Sequence, residues 1–123
     1  MKDYQMGAVE SRFADIIWDH APITSTELVR YSETLLNWKK STTYTVLKRL
    51  CDKGIFRNDG GTVSACISKQ KFYSHQSERF VNETFDGSLP AFLAAFTSRQ
   101  KISDAEIDEI QKMIDRYRKG DAK

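Results

Sequence analysis

NWKKSTTYTVLKRLCDKGIFR, residues 37–57, reads as one helix with two unlike faces. Ser41 is a favoured N-cap type, and Gly54 stands where such a helix stops. Between them Thr43, Val46, Leu47 and Leu50 fall at i, i+3, i+4 and i+7 and form an apolar stripe. The opposite face carries Ser41, Thr45 and Lys48, flanked by Thr42, Tyr44 and Arg49, with Lys39 and Lys40 just ahead. Hydroxyls and long cations are the side chains that bond phosphates and base edges. From Trp38 to Arg57 there are six cations (Lys39, Lys40, Lys48, Arg49, Lys53, Arg57) against one anion, Asp52, so the segment is +5 in a chain of formal net charge +2. Taken alone, this is either a solvated charged face or a helix presented to nucleic acid.

The rest of the chain bears on that choice. At 123 residues and 40% hydrophobic it suffices for one ordinary domain, or a small domain with an oligomerisation tail. No run approaches the ~20 apolar residues of a membrane span, and MKDYQMGAVE lacks a signal peptide's apolar core, so no membrane insertion is expected. Cys51 and Cys66 are too few for a disulfide framework, which leaves a cytoplasmic protein with reduced thiols as the expectation.

Working outward, residues 8–20 place Val9, Phe13, Ile16 and Ile17 on one side of a first helix that ends before Pro22. Thr24-Ser-Thr-Glu27 is a capping box opening a second helix to about Leu35. The basic helix follows after a short polar turn, which is helix-turn-helix order. Residues 55–58 and 63–67 then read as strands around Asp59-Gly60-Gly61, a hairpin turn signal. Three helices and a hairpin make a winged helix-turn-helix. The hairpin closes the domain, and with no cation beyond Arg57 near its tip it is a weak DNA reader.

The second half changes in kind. Ser68 caps a helix carrying Phe72, Tyr73, Phe80 and Val81, which ends at Asp86-Gly87. Ser88 caps the next, where Leu89, Phe92, Leu93 and Phe96 share a face. Ser103-Asp-Ala-Glu106 is another capping box, followed by Ile107, Ile110, Ile114 and Tyr117. Three helices with apolar stripes and no sheet to cover them need partners. They either pack on one another or interdigitate with a second copy, and a two-fold dimer also supplies the second reading head of a helix-turn-helix protein. The fold class is therefore mainly α with a small β wing: a winged helix-turn-helix DNA-binding domain at 1–68 and a helical dimerisation domain at 69–123.

Catalysis and metal binding find little support. Cys51, Cys66, His20 and His75 are scattered, whereas a thiolate or imidazole metal site needs several such residues at short spacing. Cys51 and Cys66 read as small buried hydrophobes. His20 is a helix-stop residue and His75 a surface residue. No enzyme activity, metal or cofactor is expected.

The run Asn37-Trp38, Ser41-Thr42-Thr43-Tyr44-Thr45-Val46-Leu47, Arg49-Leu50 and Lys53-Gly54-Ile55 resembles the penicillinase-repressor family. That family includes the β-lactamase and methicillin-resistance repressors and copper-responsive relatives. Phe85-Asp86-Gly87-Ser88-Leu89, Phe92-Leu93-Ala94-Ala95-Phe96 and Ser103-Asp104-Ala105-Glu106-Ile107 resemble its dimerisation region, and Glu10 with Ile17-Trp18 fits its first helix. The resemblance implies a homodimeric transcriptional repressor binding a palindromic operator in double-stranded DNA, of β-lactamase or cell-wall-stress type. It puts the recognition helix at Ser41 to Lys53, with Ser41, Thr42, Tyr44, Thr45, Lys48 and Arg49 at DNA-contacting positions. It also implies induction through a membrane sensor-protease pathway, with the cut falling at Ala95-Phe96, where alanine replaces the family's asparagine. The wing differs from the family's, with Gly60, Gly61 and Cys66 in place of basic and aromatic residues. The chain ends RYRKGDAK, without the cysteine-rich tail of the copper-responsive branch. A copper-responsive repressor, or a winged-helix adaptor that binds protein and not DNA, are the alternatives.

Overall fold

The computed structural model of the chain describes residues 5–120. They form two compact units that divide between Arg79 and Phe80.

In the first unit, α1 (Ala8–His20) buries Phe13, Ala14, Ile16 and Ile17. Val9, on the same side, stays 54% exposed, and Met6 ahead of the helix packs on the core at this end. The short strand β1 (Ile23–Thr24) leads into α2 (Ser25–Leu36), where Thr24 Oγ1 accepts from the Glu27 amide at 3.1 Å. That strand is absent from the sequence reading, since two residues give no alternation to detect. Asn37 closes α2 in the left-handed conformation, with φ 57° and ψ 39°. Next, α3 (Lys40–Asp52) buries Thr43, Val46, Leu47 and Leu50, the stripe read from the spacing.

The wing consists of β2 (Phe56–Asp59) and β3 (Thr62–Ala65), with β1 paired antiparallel to β3, giving the order β1-β3-β2. Both strands are offset from the expected 55–58 and 63–67. Asp59 pairs with Thr62, leaving a two-residue loop of Gly60 and Gly61 with φ of 59° and 95°. A hairpin loop of this type needs positive φ at both positions, which glycine adopts without strain. Cys66, expected to be buried, lies just beyond β3 and is exposed, while Val63 and Ile67 take the inward positions.

Helix α4 (Lys69–Thr84) begins in this unit. Its Phe72 is buried 5.3 Å from the Trp18 ring, and Trp18 also packs at a tilt against Phe56 at 5.1 Å. The Trp18 indole N–H donates to the Ile67 carbonyl at 3.0 Å, satisfying the one polar atom of a largely apolar side chain. Lys69 Nζ lies 3.0 Å from Asp15 Oδ1 and fixes the start of α4 against α1.

The second unit holds the end of α4, then α5 (Leu89–Thr97) and α6 (Asp104–Arg118). Asp86 and Gly87, at φ 53° and 80°, make the sharp reversal that the Asp-Gly pair announced. Ser88 caps α5, and Ser103 with Glu106 forms a capping box on α6. Phe80, Phe85, Phe92 and Phe96 cluster with ring centroids 5.6–6.1 Å apart. Neither α5 nor α6 has a buried residue. Leu89 is 56% exposed, Phe96 48%, Ile107 48%, Ile114 45% and Tyr117 76%. Phe92, Leu93 and Ile110 are half-buried.

Candidate nucleic-acid interface

The outward face of α3 is built by what its inward face buries. With Thr43, Val46, Leu47 and Leu50 turned to the core, Ser41, Thr45, Lys48 and Asp52 are left as the outermost stripe. The Thr45 hydroxyl donates to the Ser41 carbonyl at 2.9 Å, which leaves the oxygen of this exposed side chain free to accept. Tyr44 is 36% exposed, and its hydroxyl donates to Ser25 Oγ at 3.2 Å, tying α3 to the start of α2. Ser25 in turn donates its amide to the Gly61 carbonyl at 2.8 Å, so the wing turn is fixed to the same point. In the sequence the segment from Thr24 to Glu27 reads only as a helix start. Its place beside α3 and the wing depends on partners 19 and 36 residues away, for which the chain carries no local signal.

One expectation about α3 is corrected. The helix begins at Lys40, with Lys39 as an extended N-cap residue that makes no side-chain cap bond, and Ser41 lies within the first turn. Trp38 sets this start, because its ring packs 5.0 Å from Phe13 and leads the chain out of the core two residues before Lys40. Tertiary packing here overrides local capping preference. Lys39, Lys40, Ser41 and Thr42 are exposed together or nearly so at the N-terminal end, where helix-turn-helix proteins meet base edges.

The local charge of this region is less free than its composition suggests. Lys48 Nζ is 3.2 Å from Asp52, and Arg57 Nε is 3.3 Å from Asp59 on the wing. Arg49 lies on the flank of α3, 3.4 Å from Glu10 of α1, and Lys53 reaches the same carboxylate at 3.9 Å and the Gln5 carbonyl. Among the described residues no ion pair engages Lys39 or Lys40. Between α3 and β2 lies a groove of about 380 Å³ lined by Tyr44, Leu47, Lys48, Cys51 and Asn58. Cys51 is half-buried against the core, and burial pushes its thiol up, helped by Cys66 and Asp52 and opposed by Lys48.

Glu10 joins the first and third helices. Burial pushes its carboxyl up, but the Gly7 amide, Lys53 and Arg49 outweigh that and hold it below the ordinary value of 4.5. A carboxylate depressed on folding contributes stability above its unfolded pKa and loses it as pH falls through the folded one. Glu10→Gln is therefore expected to be less stable than wild type near neutrality, with the difference closing as pH falls below the ordinary carboxylate range. Urea midpoints measured against pH check this, and a gap that stays constant down to pH 2 contradicts it.

Among the described residues no three His, Cys, Asp or Glu side chains come together as a metal site, and no helix is long and apolar enough to cross a membrane. His20 Nδ1 donates to the Ile16 carbonyl at 2.8 Å and its ring lies 4.2 Å from Tyr31, a structural role at the end of α1.

The family model described as penicillinase repressor matches residues 6–116. The chain belongs to the penicillinase-repressor family. A penicillinase repressor of Bacillus licheniformis is 24% identical, with 93% of this chain and 92% of that protein covered. Methicillin resistance regulatory proteins MecI are 20% identical in Staphylococcus aureus strain Mu50 and 19% in Mammaliicoccus sciuri, each covering 94% of this chain and 97% of the relative. These relatives are named as repressors and regulators, not as enzymes, and the match runs through both units of this family member. The three-stranded wing on a helical core is the winged helix expected of a penicillinase-repressor chain.

Proposed function

We propose that the chain is a homodimeric transcriptional repressor that holds a palindromic operator in double-stranded DNA and acts in the cytoplasm on genes of β-lactamase or cell-wall-stress type. The observation that carries this reading is the outward stripe of α3, hydroxyls and Lys48 over an inward stripe that is fully buried, within a winged fold. DNA contact falls to Lys39, Lys40, Ser41, Thr42, Tyr44, Thr45 and Lys48. Arg49 contributes less, because it reaches phosphate only by leaving Glu10. The names of the relatives support regulation of resistance genes.

Dimerisation is supported by the apolar side chains that the second unit leaves uncovered, with Leu89, Phe92, Leu93, Phe96, Ile107, Ile110, Ile114 and Tyr117 as the seam. Met113, 58% exposed on α6, three residues after Ile110 and four before Tyr117, joins them. The functional division stays at 1–68 for DNA and 69–123 for dimerisation, with the first half of α4 also completing the N-terminal core through Phe72. Release follows from loss of that seam. The bond Ala95-Phe96 lies in the last turns of α5, so a sensor-pathway protease must unwind helix to cut it, and one that reads asparagine leaves it intact. A fragment ending at Ala95 in induced cells, seen by mass spectrometry, marks cleavage; intact chain released from DNA marks another route.

A gel shift on duplexes from upstream of the chain's own gene, against random duplex, tests the reading. Preferential retardation of an upstream duplex is expected, and Lys48→Ala is expected to weaken binding to all sequences and lower the salt slope by about one per chain. Equal, weak binding to every duplex overturns it.

A further inference from the structure

Asp52 is an anion on a surface otherwise made of hydroxyls and cations. It continues the stripe of Ser41, Thr45 and Lys48 at i+11, and its carboxylate lies 3.2 Å from Lys48 Nζ, with the two side chains 67% and 77% exposed. Helix stability gives no reason for it. An acid in the last turn faces the negative end of the helix dipole. A pair this exposed contributes little, and lysine four residues before the acid is the weaker order. The pair matters instead to an approaching polyanion: it neutralises a cation of the stripe and sets a negative charge beside it. Arg57, the cation near the wing tip, is treated the same way by Asp59 at 3.3 Å.

We infer that Asp52 is a positioning residue that restrains DNA affinity, holding the Lys48 ammonium and repelling phosphate so that each reading head binds reversibly. This rests on the DNA-reading function proposed above. Phosphate neutralisation dominates non-specific affinity and sets its salt dependence, so one carboxylate in this place acts on every sequence. In a dimer the effect enters twice, once from each copy.

The test uses the full-length chain, the duplex that wild type selects from a randomised pool, and a random-sequence duplex, titrated by fluorescence anisotropy across a salt series. Asp52→Asn is expected to tighten binding to both duplexes by about three- to tenfold and to steepen the salt slope by about one per chain. Asp52→Glu, which keeps the pair, is expected to behave as wild type. In a Lys48→Ala background Asp52→Asn is expected to tighten binding by a smaller factor than in wild type, because only the repulsion of phosphate is then relieved and no ammonium is released, whereas a purely structural role for Asp52 gives the same change in both backgrounds. The inference is overturned if wild type prefers its selected duplex while Asp52→Asn matches wild type in affinity and slope, or binds more weakly. If wild type shows no preference for any duplex, the DNA-reading function itself falls, and this inference with it.

Discussion

Replacing Ile110 by Asp is expected to convert the protein from dimer to monomer at micromolar concentration, as read by sedimentation, while its circular dichroism stays that of wild type. Ile110 is half-buried in the chain, and α6 has no buried residue, so the substitution costs the single chain little. In a dimer seam the same position is desolvated. Burying an isoleucine there contributes ~1.5–3 kcal/mol, and an unpaired carboxylate reverses the sign. Ile114→Asp, at a position 45% exposed in the chain, is expected to act alike and separates seam loss from any folding defect at 110. Operator affinity is expected to fall by ~10²–10⁴, because a single head loses the effective concentration supplied by its partner. A wild-type chain that sediments as a monomer at high concentration removes the basis for the seam.

The second large effect concerns sequence discrimination. Thr45→Ala and Tyr44→Ala are each expected to narrow the gap between the selected duplex and random DNA, by roughly 1–3 kcal/mol where the side chain meets a base edge. Binding to random DNA is expected to change little, since neither side chain carries charge. Thr45 offers its hydroxyl oxygen as an acceptor, because its hydroxyl hydrogen is given to Ser41. Tyr44→Phe separates two roles of that ring: it removes the bond to Ser25 while keeping the aromatic face. If Tyr44→Ala and Thr45→Ala both bind the selected duplex like wild type, α3 is not the reader.

The inward face of α3, the Thr24 and Ser103 caps and the glycine hairpin were legible because each rests on residues within one turn or one loop. The burial of Thr43, Val46, Leu47 and Leu50 follows from a spacing that no other element disturbs. What escaped the sequence depends on distant partners. The grip of Glu10 on Arg49 spans 39 residues and turns an apparent DNA cation toward α1. The start of α3 at Lys40 is set by Trp38 packing on Phe13, 25 residues earlier in the chain. Cys66 is exposed because β3 ends at Ala65, an endpoint that short strands do not announce. The charge of α3 and its flanks is plain from composition, whereas the pairing of those cations depends on the fold.

In the proposed dimer two copies read two half-sites through α3. The most direct measurement is the stoichiometry and affinity of the full-length chain on its selected duplex, with both half-sites intact and with one scrambled. The prediction is two chains per intact duplex and a loss of about a hundredfold or more on scrambling. One chain per duplex, with the same affinity after scrambling, contradicts it.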